Sequence, residues 1–193
     1  MKVPHEVAWA DLDASSKRER LLAAARELFS REGLGASMPA LAAAAGAGVG
    51  SVYRQFADKD DLVAALVVQR LTEVGETIRA VPATGDGFAD LTAMIWAVID
   101  AKDGCDEIMI EAIAVTGSRR DVIDARALVA HAMDDVMDRA RVQGTLRPDA
   151  EVQDLRLLFT AVRAAEAHAT GGGRRIALLL IDGLRAGLER ESA

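Results

Sequence analysis

The sequence predicts an all-α fold. Alanine is abundant, β-branched and aromatic residues are comparatively scarce, and Phe, Trp and Tyr together make up 4%, a balance that favours helix over sheet. Apolar residues recur at i, i+3/i+4, i+7 spacing through about nine segments, and glycine, proline or a short polar residue marks their ends. With 193 residues, 51% of them hydrophobic, the chain can bury one substantial core or two small ones without covalent staples.

Ser16 with Glu19 has the form of a capping box, and Leu21, Leu22, Ala25, Leu28 and Phe29 make the stripe of a first helix, about 17–32, that ends at Gly33. Ser37 suits the N-cap of a second helix, with Pro39 in its first turn and Leu41 and Ala45 facing inward; Gly46 stops it after about two turns. Gly46, Gly48 and Gly50 crowd the link to a short third helix, about 49–55. Asp58 caps a long fourth helix with Asp60 and Asp61 in its first turn, where the helix dipole favours acids. Its stripe, Val63, Val67, Leu71, Val74 and Ile78, runs out near Pro82 in the loop PATGDG.

A fifth helix carries Phe88, Leu91, Met94, Ile95, Val98 and Ile99, a short sixth spans Ile108 to Val115, and a seventh, about 119–143, runs through Val122, Leu128, Val129, Met133, Val136 and Met137 to a C-cap at Gly144. The eighth presents Leu155, Leu158, Phe159 and Val162. The ninth presents Ile176, Leu179, Leu180, Gly183, Leu184, Gly187 and Leu188, and TGGG, 170–173, joins the two. The expected division is a flexible N-terminal arm over 1–14, a helix-turn-helix domain over 15–62 and a second helical domain over 63–193, with the fourth helix linking them.

Composition narrows the function classes. The one cysteine, Cys105, has no partner for an intrachain disulfide and no neighbour at metal-ligand spacing, which fits a reducing compartment and a small buried hydrophobe. MKVPHEVAWADLDASS carries acids and lacks a continuous apolar stretch, so neither a signal peptide nor a membrane span is expected, and the cytoplasm follows. No nucleophile motif or phosphate-binding glycine loop is present, and His131 and His168 stand alone, so no enzyme, metal site or cofactor is expected. The net charge of −7 opposes a nucleic-acid partner, but its distribution does not: residues 15–70 hold eight Lys/Arg against six Asp/Glu, whereas residues 71–193 hold 14 against 21. The halves differ in sign and so in partner.

Two short helices joined across a glycine turn, the second polar at its exposed positions, form a helix-turn-helix, whose second helix enters the major groove of DNA. Val52 and Phe56 lie four apart and anchor the third helix, which leaves Val49, Gly50, Ser51, Arg54 and Gln55 facing outward. Gly50 lets backbone approach DNA, while Arg54 and Gln55 have the donors to reach base edges or phosphates. Lys17, Arg18 and Arg20, at the start of the first helix, are candidates for phosphate or the minor groove, and Ser37 joins them at the start of the second.

AGAGVGSVYRQFADKDDL, residues 45–62, resembles the tetracycline-repressor-like (TetR) transcriptional regulators. Ala45, Gly46, Gly50, Ser51, Val52, Tyr53, Gln55, Phe56, Lys59 and Leu62 carry the resemblance. It implies that Ser51, Tyr53 and Lys59 contact phosphates of double-stranded operator DNA and that Val49, Gly50, Arg54 and Gln55 lie nearest the bases. One departure is Ala47-Gly48 where that family commonly has Val-Ser, so the cap of the third helix is a glycine. The resemblance is specific over about 17–65 and architectural beyond, where GTLRPDAE, 144–151, and IDGLRAGL, 181–188, look like that family's link between helices seven and eight and its last helix.

For the second half, the reading is a ligand-binding and dimerisation domain. Met94, Trp96, Ile99, Met109, Ile113, Met133, Met137 and Phe159 are the candidate lining of an adaptable apolar effector pocket, and Glu111 reads as a solvated position. Leu155, Phe159, Val162, Ile176, Leu180, Gly183, Leu184 and Gly187 are the candidate homodimer seam. The expected function is a ligand-responsive repressor; the alternative is a helical ligand-binding or scaffold protein without DNA binding.

Overall fold

The computed structural model describes residues 8–101 and 107–187. Cys105, the first seven residues of the expected arm and Leu188 lie outside them, as does the side chain of Ile108. Among the described residues a 3-10 turn, Trp9–Asp11, precedes nine α-helices: α1 Ala14–Glu32, α2 Met38–Ala44, α3 Val49–Gln55, α4 Lys59–Arg79, α5 Gly87–Asp100, α6 Glu107–Thr116, α7 Arg120–Val142, α8 Val152–His168 and α9 Gly172–Gly183. The one strand-like feature among them is an isolated antiparallel bridge between Leu146 and Arg185.

The chain divides into two compact units, Met1–Arg70 with Asp106–Ile123, and Leu71–Cys105 with Asp124–Ala193. These units meet in the sequence inside α4, after Arg70, and α6 with the first residues of α7 belongs to the first unit. Periodicity along one helix cannot register such a break, because α4 keeps its apolar stripe on both sides of it.

In the first unit, α1 contributes Leu21, Ala25, Leu28 and Phe29 to the core, α2 contributes Leu41 and Ala42, α3 contributes Val52, and α4 contributes Leu62, Val63 and Val67; all are at most 3% exposed. Each Leu, Phe or Val buried this way contributes about 1.5–3 kcal/mol. The first helix starts earlier than its capping-box signal suggests. Asp13, not Ser16, is the N-cap, its carboxylate accepting from Ser16 N–H at 2.8 Å. Both residue types cap well, and the carboxylate upstream supplies an extra turn.

The second unit is built round one cluster, in which Leu91, Met94, Ile95, Met137, Ala140, Leu155 and Ala177 are fully buried. Helices α5 and α7 meet closely at Gly87, where a Cβ would lie 2.6 Å from the Ala140 nitrogen. The Gln143 amide bridges that approach, accepting from Gly87 N–H at 2.7 Å and donating to the Gly85 carbonyl at 2.8 Å. The TGGG stretch is a helix crossing rather than a slack loop: a Cβ on Gly173 would lie 2.7 Å from the Val162 carbonyl oxygen on α8.

Glu166 closes this α8–α9 corner by accepting from Gly171 and Gly173 N–H, each at 3.0 Å. Those two amides hold its carboxyl below the usual carboxylate range. A group with a depressed folded pKa contributes stability that is present above its unfolded pKa and lost as pH falls through the folded one. Glu166→Gln is therefore expected to lower the urea midpoint at pH 7, and its deficit relative to the wild type should close as both are titrated into acid.

The ninth helix is shorter than its sequence stripe. It ends at Gly183, and Gly187 lies beyond it with φ of +95°. The tail turns instead to the α7–α8 link, with Arg147 N–H donating to Leu184 O and Ala186 N–H to Thr145 O, both at 2.9 Å. These non-local bonds replace the next helical turn, so Gly183 and Gly187 do not share a helix face.

Candidate nucleic-acid interface

Helices α2 and α3 are joined by a turn that only a left-handed residue completes, and Gly46 supplies it with φ of +65°. Ala47 N–H then donates back to Ala42 O at 2.8 Å. Gly48 caps α3 with no side-chain hydrogen bond, as its glycine identity requires. Ser37 caps α2, its Oγ accepting from Ala40 N–H at 3.2 Å.

The orientation of α3 is fixed by Val52 and Phe56, both 0% exposed. Rotating those positions inward turns Val49, Gly50, Tyr53 and Arg54 outward; Val49 is 40% and Tyr53 50% exposed. Gly50 has open space round the position of a Cβ, so the packing of the chain itself does not call for glycine there. Ser51 and Gln55 are half-buried at the edges of this face. Arg54 Nη2 donates to Ser51 Oγ at 2.7 Å, which draws the guanidinium along the helix and leaves the serine proton available as a donor.

The basic residues flanking α3 divide into two kinds. Arg18 on α1 donates from Nη1 to the Gln55 carbonyl at 3.0 Å and lies over the Phe56 ring, 4.4 Å from its centroid. It satisfies an end carbonyl of α3 and packs on its anchor residue, so it holds α3 in place. Lys59, the first residue of α4, stands 6.0 Å from the centroid of Phe29, and Lys17 is half-buried on α1. The role of Arg18 was not legible from spacing, because the carbonyl it meets is 37 residues away.

Among the second-unit candidates, Met94, Met133 and Met137 are core residues at 0%, 4% and 0% exposure, while Trp96, Ile99, Phe159 and Ile176 are partly buried against the same cluster. The Trp96 ring carries the Arg174 guanidinium 4.6 Å from its centroid. Met109 and Ile113 are half-buried on α6 of the first unit, and Glu111 is exposed there. His131 and His168 are both exposed. Of the seam candidates, Leu155, Val162 and Leu184 face the interior of their own unit at 0%, 7% and 7% exposure, whereas Leu180 is 38% exposed. The outward apolar face of α8 and α9 also includes Leu157 and Leu179, at 58% and 63%, which the sequence reading did not single out as seam residues.

An all-helical chain whose first unit holds a short helix with an exposed, glycine-bearing, polar face is a helix-turn-helix protein. Residues 21–66 match the tetR family of bacterial regulatory proteins. The chain is similar over 90% of its length to 98% of the TetR transcription regulatory protein from Mycobacterium vanbaalenii, at 26% identity and a TM-score of 0.64. It is similar over 88% of its length to 99% of a TetR transcriptional regulator from Streptomyces coelicolor, at 25% identity and a TM-score of 0.58. SmeT, the repressor of the Stenotrophomonas maltophilia multidrug efflux pump SmeDEF, shares the fold at 22% identity and a TM-score of 0.61, covering 91% of this chain and 94% of its own. No curated protein matches the chain by sequence. Residues 21–66 thus carry the helix-turn-helix segment of the tetR family, and the chain as a whole is similar to TetR transcriptional regulators. Among the described residues no helix is long and apolar enough to cross a membrane.

Proposed function

We propose that the chain is a homodimeric, cytoplasmic repressor that holds operator DNA with α3 and releases it when a small apolar molecule occupies the methionine-rich interior of the second unit. The observation that carries the DNA-reading surface is the exposed face of α3, Val49, Gly50, Tyr53 and Arg54, held outward by the fully buried Val52 and Phe56. Ser37, Ser51, Tyr53, Lys17 and Lys59 are assigned to phosphates, and Val49, Gly50, Arg54 and Gln55 to the bases. Arg18 joins them through its hold on α3. The partner copy is assigned to the outward face of α8 and α9, where Leu157, Ala161, Leu179 and Leu180 line a groove of about 600 Å³ edged by Arg147, Asp149 and Asp154.

The proposed effector site supports regulation through α4, which runs unbroken from the first unit into the second. Effector and DNA then oppose each other through a single coupling free energy, so each weakens the other by the same factor. Reversing a 99:1 population takes a preference of about 5.5 kcal/mol for the released state.

Selection of duplexes from a random pool, followed by titration of the enriched sequence, tests the reading. The wild type is expected to enrich a two-fold-related site, and Lys59→Ala is expected to weaken binding to all duplexes and lower the slope of log affinity against log salt by about one. Failure to enrich any duplex would leave the scaffold alternative. A small molecule that shifts Trp96 emission in a Trp9→Phe background and releases the enriched duplex would identify the effector class.

A further inference from the structure

One carboxylate serves two distant parts of the first unit. Asp61 Oδ2 accepts from Ala57 N–H at 3.2 Å, just past the end of α3, and Asp61 Oδ1 accepts from Arg119 Nη2 at 3.0 Å, 58 residues along the chain. Arg119 is also gripped by Asp121, with Nε at 3.3 Å and the same Nη2 at 3.2 Å from the two carboxylate oxygens. The α6–α7 corner bearing Arg119 is itself fixed: Arg119 N–H donates to Thr116 O at 2.9 Å, and the buried Thr116 hydroxyl donates to Ala112 O at 2.7 Å. Asp61 N–H in turn donates to Asp58 Oδ1 at 2.8 Å. The ion pair thus joins the N-terminal turns of α4 and α7, each of which starts in the first unit and ends in the second.

We propose that Arg119 is a positioning residue for the recognition helix: through the Asp61 carboxylate it fixes the Ala57 amide, so that the α6–α7 corner sets how α3 leaves its helical turn and meets DNA. This deepens the DNA-binding reading above and rests on it. An isolated surface ion pair would carry little. This one differs because both oxygens of Asp61 are occupied, one by a guanidinium and one by a backbone amide, so the carboxylate cannot follow Arg119 without loosening its hold on Ala57. Arg119 remains charged throughout, because Asp121 first and then Asp61 hold its pKa above the ordinary guanidinium value against the opposing effect of burial.

The experiment compares Arg119→Gln, Asp61→Asn, their double variant and Arg119→Lys in the full chain. Asparagine keeps an oxygen for Ala57 N–H and removes only the ion pair. The expected result is operator binding about fivefold weaker, the low end of coupling between sites, in each single variant. The double variant should be no weaker than either, since the two act as one unit, and the lysine variant should recover most of the loss. The salt slope should stay at the wild-type value, and amide exchange at Ala57, measured without DNA, should quicken in Arg119→Gln. A slope lowered by about one would make Arg119 a direct phosphate contact and overturn the proposal. Wild-type affinity together with unchanged exchange at Ala57 would overturn it as well. If the wild type itself bound no duplex, the DNA-binding reading would fail, and exchange at Ala57 would still decide whether Arg119 controls that amide.

Discussion

Gly50→Leu is expected to lower operator affinity by about a thousandfold or more, the interval that separates specific from non-specific DNA binding, while leaving the fold as stable as before or firmer. The position lies in the first turn of α3, exposed, and beyond its chain neighbours and the backbone of its own helix no atom lies within 4 Å of where a Cβ would stand. A side chain there meets nothing in the free protein. Leucine is also the better helix former by about 0.8 kcal/mol. A residue that costs helix stability and fills no packing need is explained by an approach from outside, and on this face the approach proposed above is that of the DNA. Thermal melting by circular dichroism should therefore move upward or stay, while titration of the selected duplex shows the loss; Gly50→Ala should fall between. Wild-type affinity in the leucine variant would mean that DNA meets some other face.

The reason the α3 face was legible in the sequence is that its determinants are local. Val52 and Phe56 at four-residue spacing set the rotation, Gly46 sets the turn, and α3 spans 49–55 as the spacing predicts. Local signals failed wherever two candidates were equivalent or the partner was remote. Asp13 and Ser16 are both competent caps, and only the structure shows that Asp13 is used. The end of α9 depends on backbone bonds to Thr145 and Arg147, which no periodicity within IDGLRAGL contains. Arg18 reads as a free cation until its Gln55 partner is seen, and Asp61 reads as a first-turn acid until Arg119 is seen.

Helices α8 and α9 illustrate a further limit. Their stripes identify apolar positions, but a hairpin with two apolar faces does not announce which face turns toward its own unit. Leu155, Val162 and Leu184 prove to be inward, and Leu157, Leu179 and Leu180 outward.

That distinction sets the second large effect. Leu157→Glu combined with Leu179→Glu is expected to yield folded monomers that no longer hold the selected operator. Both leucines are more than half exposed in the single chain, at 58% and 63%, so the glutamates remain solvated there and unfolding stability should change by only about 0.5 kcal/mol. In a two-fold dimer built on this face, each substitution occurs twice, and every carboxylate would leave water for an apolar contact at several kcal/mol per ion. That exceeds what a typical seam can absorb, so association should fail at micromolar concentration. Loss of the dimer removes one of the two recognition helices that a half-site pair requires, and affinity should drop toward the non-specific level. Leu184→Glu is the informative contrast. At 7% exposure inside its own unit, it should lower the melting temperature sharply instead of producing a native-like monomer. Sedimentation at several concentrations separates the cases: if the Leu157/Leu179 double variant still sediments as a dimer with wild-type operator affinity, the partner copy sits on a different surface, and the groove beside Arg147 and Asp154 has some other occupant.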